Sequence, residues 1–168
     1  MYHVAYSMKI MLLLFLFLAV LLLHLLFVKK NHLFNQIIAL YASIAAILFL
    51  PTVSSTAAGW IARVPYGRAG AFVILFILLS ILFRFSNIQW FSSAVTPMSF
   101  FTSLAYRAAI VGLLFAGVLY FLPENIRSSI TGPGPSIFLT PIALLFWLLF
   151  PLFLAFAYRF KTKTGWLA

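Results

Sequence analysis

From Ile10 to Val28 the chain carries no Lys, Arg, Asp or Glu, and the run stops abruptly at the pair Lys29–Lys30. A spanning helix needs roughly 20 mainly apolar residues, with about 17–25 tolerated. This run meets that requirement, and four more follow it. The spans are expected over residues 10–28, 33–53, 69–83, 105–122 and 137–158. The third is short, but Arg68 and Arg84 flank it and can snorkel to the two interfaces. The fifth contains Pro141 and Pro151, and prolines in lipid-embedded helices are tolerated with a kink. Nothing alternates polar and apolar over ten residues, as a barrel would require. The expected fold is therefore an all-α integral membrane protein, one polytopic helical bundle of about five transmembrane helices. Four remains the alternative if the third or fourth run does not cross.

Composition agrees with lipid as the main solvent. Soluble domains carry roughly 25% charged residues to keep their surface wet, whereas here the figure is 7%. The first run is longer than a secretory h-region, ends in lysines and has no small-residue cleavage site after it. It reads as a retained span.

The net charge of +10 arises from 11 Lys plus Arg against one acid, Glu124. A basic nucleic-acid footprint clusters on one face or stripe, but these residues sit singly or in pairs at the ends of apolar runs. Anionic lipid headgroups are the expected partner, with other membrane proteins or a second copy of the chain, and no nucleic acid. With five spans, Lys29, Lys30, Arg84, Arg107, Arg159, Lys161 and Lys163 fall on one side, and Lys9, Arg63, Arg68 and Arg127 on the other. The positive-inside rule then predicts N-terminus out and C-terminus in. Lys29, Lys30, Arg159, Lys161 and Lys163 are the clearest topology markers, and the lysine pair marks a tight cytoplasmic hairpin.

Small residues distinguish the fourth run, where Ala108, Gly112 and Ala116 recur at four-residue spacing. Such spacing lets helix backbones approach closely in lipid. The second and fourth runs are expected to pack centrally, with the first and fifth facing lipid. One connector, residues 88–104, has helical period broken at Pro97, with Gln89, Ser92, Ser93, Thr96, Ser99 and Ser103 on one uncharged polar stripe. It fits a segment lying in the interface or a re-entrant hairpin lining a wet cavity.

Little acid–base chemistry is available. The chain has no Cys and no Asp, one Glu and three His. Glu124 can pair with Arg127 at i, i+3. His3 and Glu124 are threaded opposite His32, so no metal site forms from them, and His24 is expected to bond locally or face the interface. The segment TGPGPS, residues 131–136, reads as a stiff turn and not a phosphate loop. No catalytic residue, cofactor site or metal site is expected, and the chain is read as a non-enzyme.

The layout resembles the colicin V production protein (CvpA) family of small bacterial inner-membrane proteins. The likeness lies in the basic pair after the first run, the opening of the second in "KKNHLFNQIIAL", and a third run ending in Arg84. An Arg near the start of a small-residue fourth run, "LAYRAAIVGLLFAGVLYFL", completes it, over roughly residues 10–125. The family tends to place Gly in the first turn and an Asp-Arg-like pair before the fourth helix, where this chain has Asn31–His32 and no Asp. The resemblance implies a role in secretion or envelope homeostasis. The leading functional expectation is a non-enzymatic membrane component supporting transport, secretion or complex assembly. A small channel or transporter subunit using the Ser/Thr stripe is the alternative, and a lipid-modifying enzyme comes third.

Overall fold

The computed structural model describes residues 2–85, 100–131, 138 and 140–163, with side chains for 11–30, 32–85, 100–129, 138 and 140–156. Among these residues all regular structure is helical: α1 (Tyr2–Phe27), α2 (Leu33–Val53), α3 (Ser55–Arg63), α4 (Gly67–Phe85), α5 (Phe100–Phe121), α6 (Glu124–Thr131) and α7 (Pro141–Lys163). Three of them, α2, α4 and α5, are long and apolar enough to cross a membrane, and the stretches Met11–Phe27 and Pro141–Phe156 are shorter apolar helices. The chain is a multi-pass integral membrane protein.

Helix boundaries follow local chemistry. Lys29 is extended, at φ −70° and ψ 146°, which ends α1 and starts a single 3₁₀ turn over Lys30–His32 before α2. α2 runs through Pro51 to Val53, the bounds that the apolar pattern gives. Ser54 then adopts φ −151° and accepts a hydrogen bond from the Ala57 amide at 3.2 Å, capping α3. Sequence reading leaves 54–68 as a connector; the structure makes nine of its residues a short helix with no buried residue and an exposed Trp60. A turn over Val64–Gly67 reverses the chain into α4. The Gly67 amide bonds the Val64 carbonyl at 2.8 Å, and Tyr66 takes φ 63°, where a type II turn normally holds Gly or Asn.

α5 is the centre of the bundle. In its membrane-spanning window 61% of residues are buried, against 39% in α2 and 11% in α4. Tyr106, Ala109, Ile110, Val111, Leu113, Ala116 and Leu119 surround its axis, so it is covered on every side rather than along one stripe. α1, α2, α4 and α7 all pack on it, and α4 packs most extensively on α2. Close approach depends on glycine. A Cβ at Gly112 would overlap the Trp147 ring of α7, and one at Gly117 would come within 2.8 Å of Phe72 Cζ on α4.

The fifth apolar run departs from expectation at its start. Pro141 is the first residue of α7, not an internal kink, and Thr140 Oγ1 caps the helix by accepting from the Ala143 amide at 3.1 Å. Phe138 precedes the helix and is wedged into the bundle, stacked on Trp147 with centroids 5.6 Å apart and packed against Phe17 and Phe115. The segment TGPGPS lies outside the described residues apart from Thr131, which ends α6.

Candidate functional site

At one end of the bundle α1 finishes, α2 begins, α4 finishes and α5 begins. A helix leaves its last carbonyls without intrahelical partners, and within a membrane those groups need another donor. Here Arg107, reaching from α5, serves the Val28 carbonyl just past α1 and shares the His24 carbonyl, which also accepts from the Val28 amide at 3.1 Å. Its Nη1 donates to the His24 carbonyl at 2.5 Å and its Nη2 to the Val28 carbonyl at 2.7 Å. Its Nε points to Ser103 Oγ at 3.4 Å, one helical turn earlier. The residue is only 4% exposed. A buried charge is costly unless it is met by hydrogen bonds, and the negative end of the α1 dipole supplies them without any carboxylate. Sequence reading treats Arg107 as an interfacial marker; the structure makes it a buried staple between α5 and α1. Its legible signal is a lone guanidinium inside an apolar run.

The hairpin between α1 and α2 brings His24 opposite Gln36, with Nε2 to Oε1 at 2.7 Å. The bond joins two helices across the hairpin, where sequence reading gives His24 a local bond or the interface. Beside it lies a cleft of about 270 Å³ between the ends of α1, α2 and α4, lined on its polar side by Lys29, His32, Asn35, Gln36, Ser80 and Arg84. No acidic residue lines it. Asn35 is buried and its Nδ2 donates to the Phe83 carbonyl at 3.4 Å. Its Oδ1, Ser80 Oγ and His32 Nδ1 are buried atoms with no hydrogen-bond partner, which costs free energy in any closed site. Partial burial, then the nearby Arg84 and Lys29 charges, push the His32 imidazole below its ordinary range. The site is rich in donors and positive charge. Asn35 and Ser80 sit in apolar stretches where sequence alone gives them no partner.

The other sequence-predicted residues are scattered. Gln89, Ser92, Ser93, Thr96 and Ser99 lie outside the described residues, and so do the side chains of Arg159, Lys161 and Lys163. Ser103, the last of the stripe, belongs to α5 and is buried beneath Arg107. Ala108 is half-buried, while Gly112 and Ala116 are buried in the α5 core. Lys29 faces the cleft, and Lys30 is exposed in the 3₁₀ turn.

A second, wider cleft of about 760 Å³ opens at the opposite end, where Arg68, Tyr120, Glu124 and Arg127 meet Pro51. Arg127 Nη2 pairs with Glu124 Oε2 there, at the i, i+3 spacing, on an exposed surface. Among the described residues no three His, Cys, Asp or Glu side chains group as metal ligands do. No family model matches this chain, and neither a curated protein nor a solved structure does, so the likeness to the colicin V production family rests on the quoted residues alone.

Proposed function

We propose that the chain is a five-span, non-enzymatic component of a bacterial inner membrane, N-terminus out and C-terminus in. It supports transport, secretion or assembly of a larger membrane complex through its helix surfaces. The observation that carries this reading is the apolar interior around α5 among the described residues. Between the two ends Phe17, Phe72, Phe115, Phe138 and Trp147 pack beside it with Ile110 and Leu113, and a space of about 240 Å³ left between α2, α5 and α7 is walled by apolar side chains such as Ile44, Leu113 and Leu144. A conducting path needs a lining of polar groups or water at that depth.

Two further features support the details. At 1.5 Å per residue, α1 with 26 residues and α7 with 23 reach about 39 and 35 Å, enough to cross beside the three longer apolar windows. Lys29, Arg84 and Arg107 gather at one end, and Arg68 and Arg127 at the other, the grouping that alternate threading requires. A role in secretion or envelope homeostasis, as in the colicin V production family, is compatible with this arrangement.

The test is a flux assay with pure, oligomerically defined protein in liposomes, paired with thiol labelling in cells. No ion or small-solute flux above protein-free vesicles is expected. An impermeant reagent should label Ser129→Cys and spare His32→Cys in the Cys-free background. Robust flux lost on substitution of Ser92, Ser93 or Thr96 would replace the scaffold with a channel. Reversed labelling would invert the orientation.

A further inference from the structure

We propose that the cleft between α1, α2 and α4 is a binding site for an anionic phospholipid whose headgroup also carries hydroxyls, phosphatidylglycerol in class. Its phosphate lies between Lys29 and Arg84.

Four independent features converge on this ligand. The cleft gathers Lys29, His32 and Arg84 with no carboxylate among its lining, so an entering anion meets only complementary charge. Ser80 Oγ and Asn35 Oδ1 are buried there without partners. One is a hydroxyl donor for a phosphate oxygen, and the other is an acceptor for a headgroup hydroxyl. The phosphodiester itself carries no proton, so only the headgroup hydroxyls can serve that acceptor. The 21-residue α2 begins at this cleft, and no side chain caps its N-terminus, so the positive end of a helix dipole lies beside the cleft. Finally, the cleft is flanked by Phe27, Ile77 and Ile81, which are 80%, 50% and 51% exposed. They form an apolar bed for an acyl chain beside the phosphate position. The inference needs only the membrane setting. It stands whether the protein is a scaffold or a conductor, so a failed flux assay and a failed lipid assay have different meanings.

The full-length protein, purified in neutral detergent, is titrated with phosphatidylglycerol, with phosphatidylcholine of the same acyl chains, and with inorganic phosphate. Native mass spectrometry counts bound lipid and a thermal shift reports stabilisation. One retained phosphatidylglycerol per chain is expected, with a rise in Tm that the other two do not reproduce. K29Q/R84Q should weaken phosphatidylglycerol binding about 30-fold, from the usual contribution of a basic residue near an anionic headgroup. R63Q/R68Q, charge-matched near the opposite end, should leave it unchanged. Should K29Q/R84Q fail to fold, S80A carries the test, with a loss of about fivefold for one hydrogen bond. Equal losses in the two double variants, unchanged affinity in S80A, or equal protection by inorganic phosphate would each overturn the proposal.

Discussion

Arg107 and Arg127 are the same residue type at opposite ends of one bundle, and they do opposite things. Arg107 is buried and donates to two backbone carbonyls of another helix, His24 and Val28, with no acid nearby. Arg127 lies on an exposed surface and pairs with Glu124 on its own helix. The first ties together segments 79 and 83 residues apart in sequence; the second ties neighbours that would be close in any helix. A charge contributes to a membrane fold when it meets backbone carbonyls that lipid cannot serve, not when it has found an opposite charge in water.

Removing each guanidinium tests that contrast most directly. Arg107→Ala leaves the His24 and Val28 carbonyls without their charged donor and should lower stability by about 3 kcal/mol, read as thermal unfolding in detergent. Arg127→Gln should change it by about 0–1 kcal/mol, as exposed pairs do. Equal effects would erase the difference between the two ends.

The middle of the bundle sharpens the comparison, because packing alone operates there. Gly112→Leu must displace the Trp147 ring and should cost about 1–3 kcal/mol. On α4, Gly70 has nothing within 4 Å of a built Cβ, so Gly70→Ala should be neutral or stabilising by up to about 1 kcal/mol, from helix propensity. A wild-type stability for Gly112→Leu would place that face of α5 in lipid.

At the Arg127 end, Ser54→Ala removes the side-chain cap of α3 and should cost about 1 kcal/mol. A larger loss would mean that α3 holds α2 and α4 in place, which its lack of buried residues argues against.

The smallest effect is electrostatic and belongs to the Arg107 end. Burial and the Arg84 and Lys29 charges hold His32 below its reference value of 6.5 in the folded protein. The folded state therefore resists a proton that the unfolded chain accepts. The stabilisation is complete above pH 6.5 and declines as the pH falls below it. Unfolding temperature measured from pH 8 to pH 5 should drop less steeply in His32→Gln. An identical slope would show that His32 does not sense those cations. Saturating phosphatidylglycerol should flatten the wild-type slope, because a bound phosphate offsets the field.

The sequence by itself determined the solvent, the long apolar helices and the rough grouping of charge. Apolar runs with so few charges can only be helices in lipid, since backbone groups there must bond within their own segment. Small residues every four positions mark the fourth run as one that packs closely, and in the structure that run is the most buried helix. Other features needed the tertiary structure, because they join residues far apart in the chain. Nothing local to Arg107 says that its partners are the His24 and Val28 carbonyls. Asn35 and Phe83, or Phe138 and Phe17, meet only once the helices are stacked. The cleft likewise exists only where three helix ends converge, and pairing Lys29 with Ser80 and Arg84 is a property of that convergence. Periodicity and hydropathy are properties of a single helix and its solvent, so they are written locally. Which buried polar atom faces which neighbour depends on how helices cross, and that is fixed by contacts such as the Trp147 ring on Gly112 rather than by any pattern within one run.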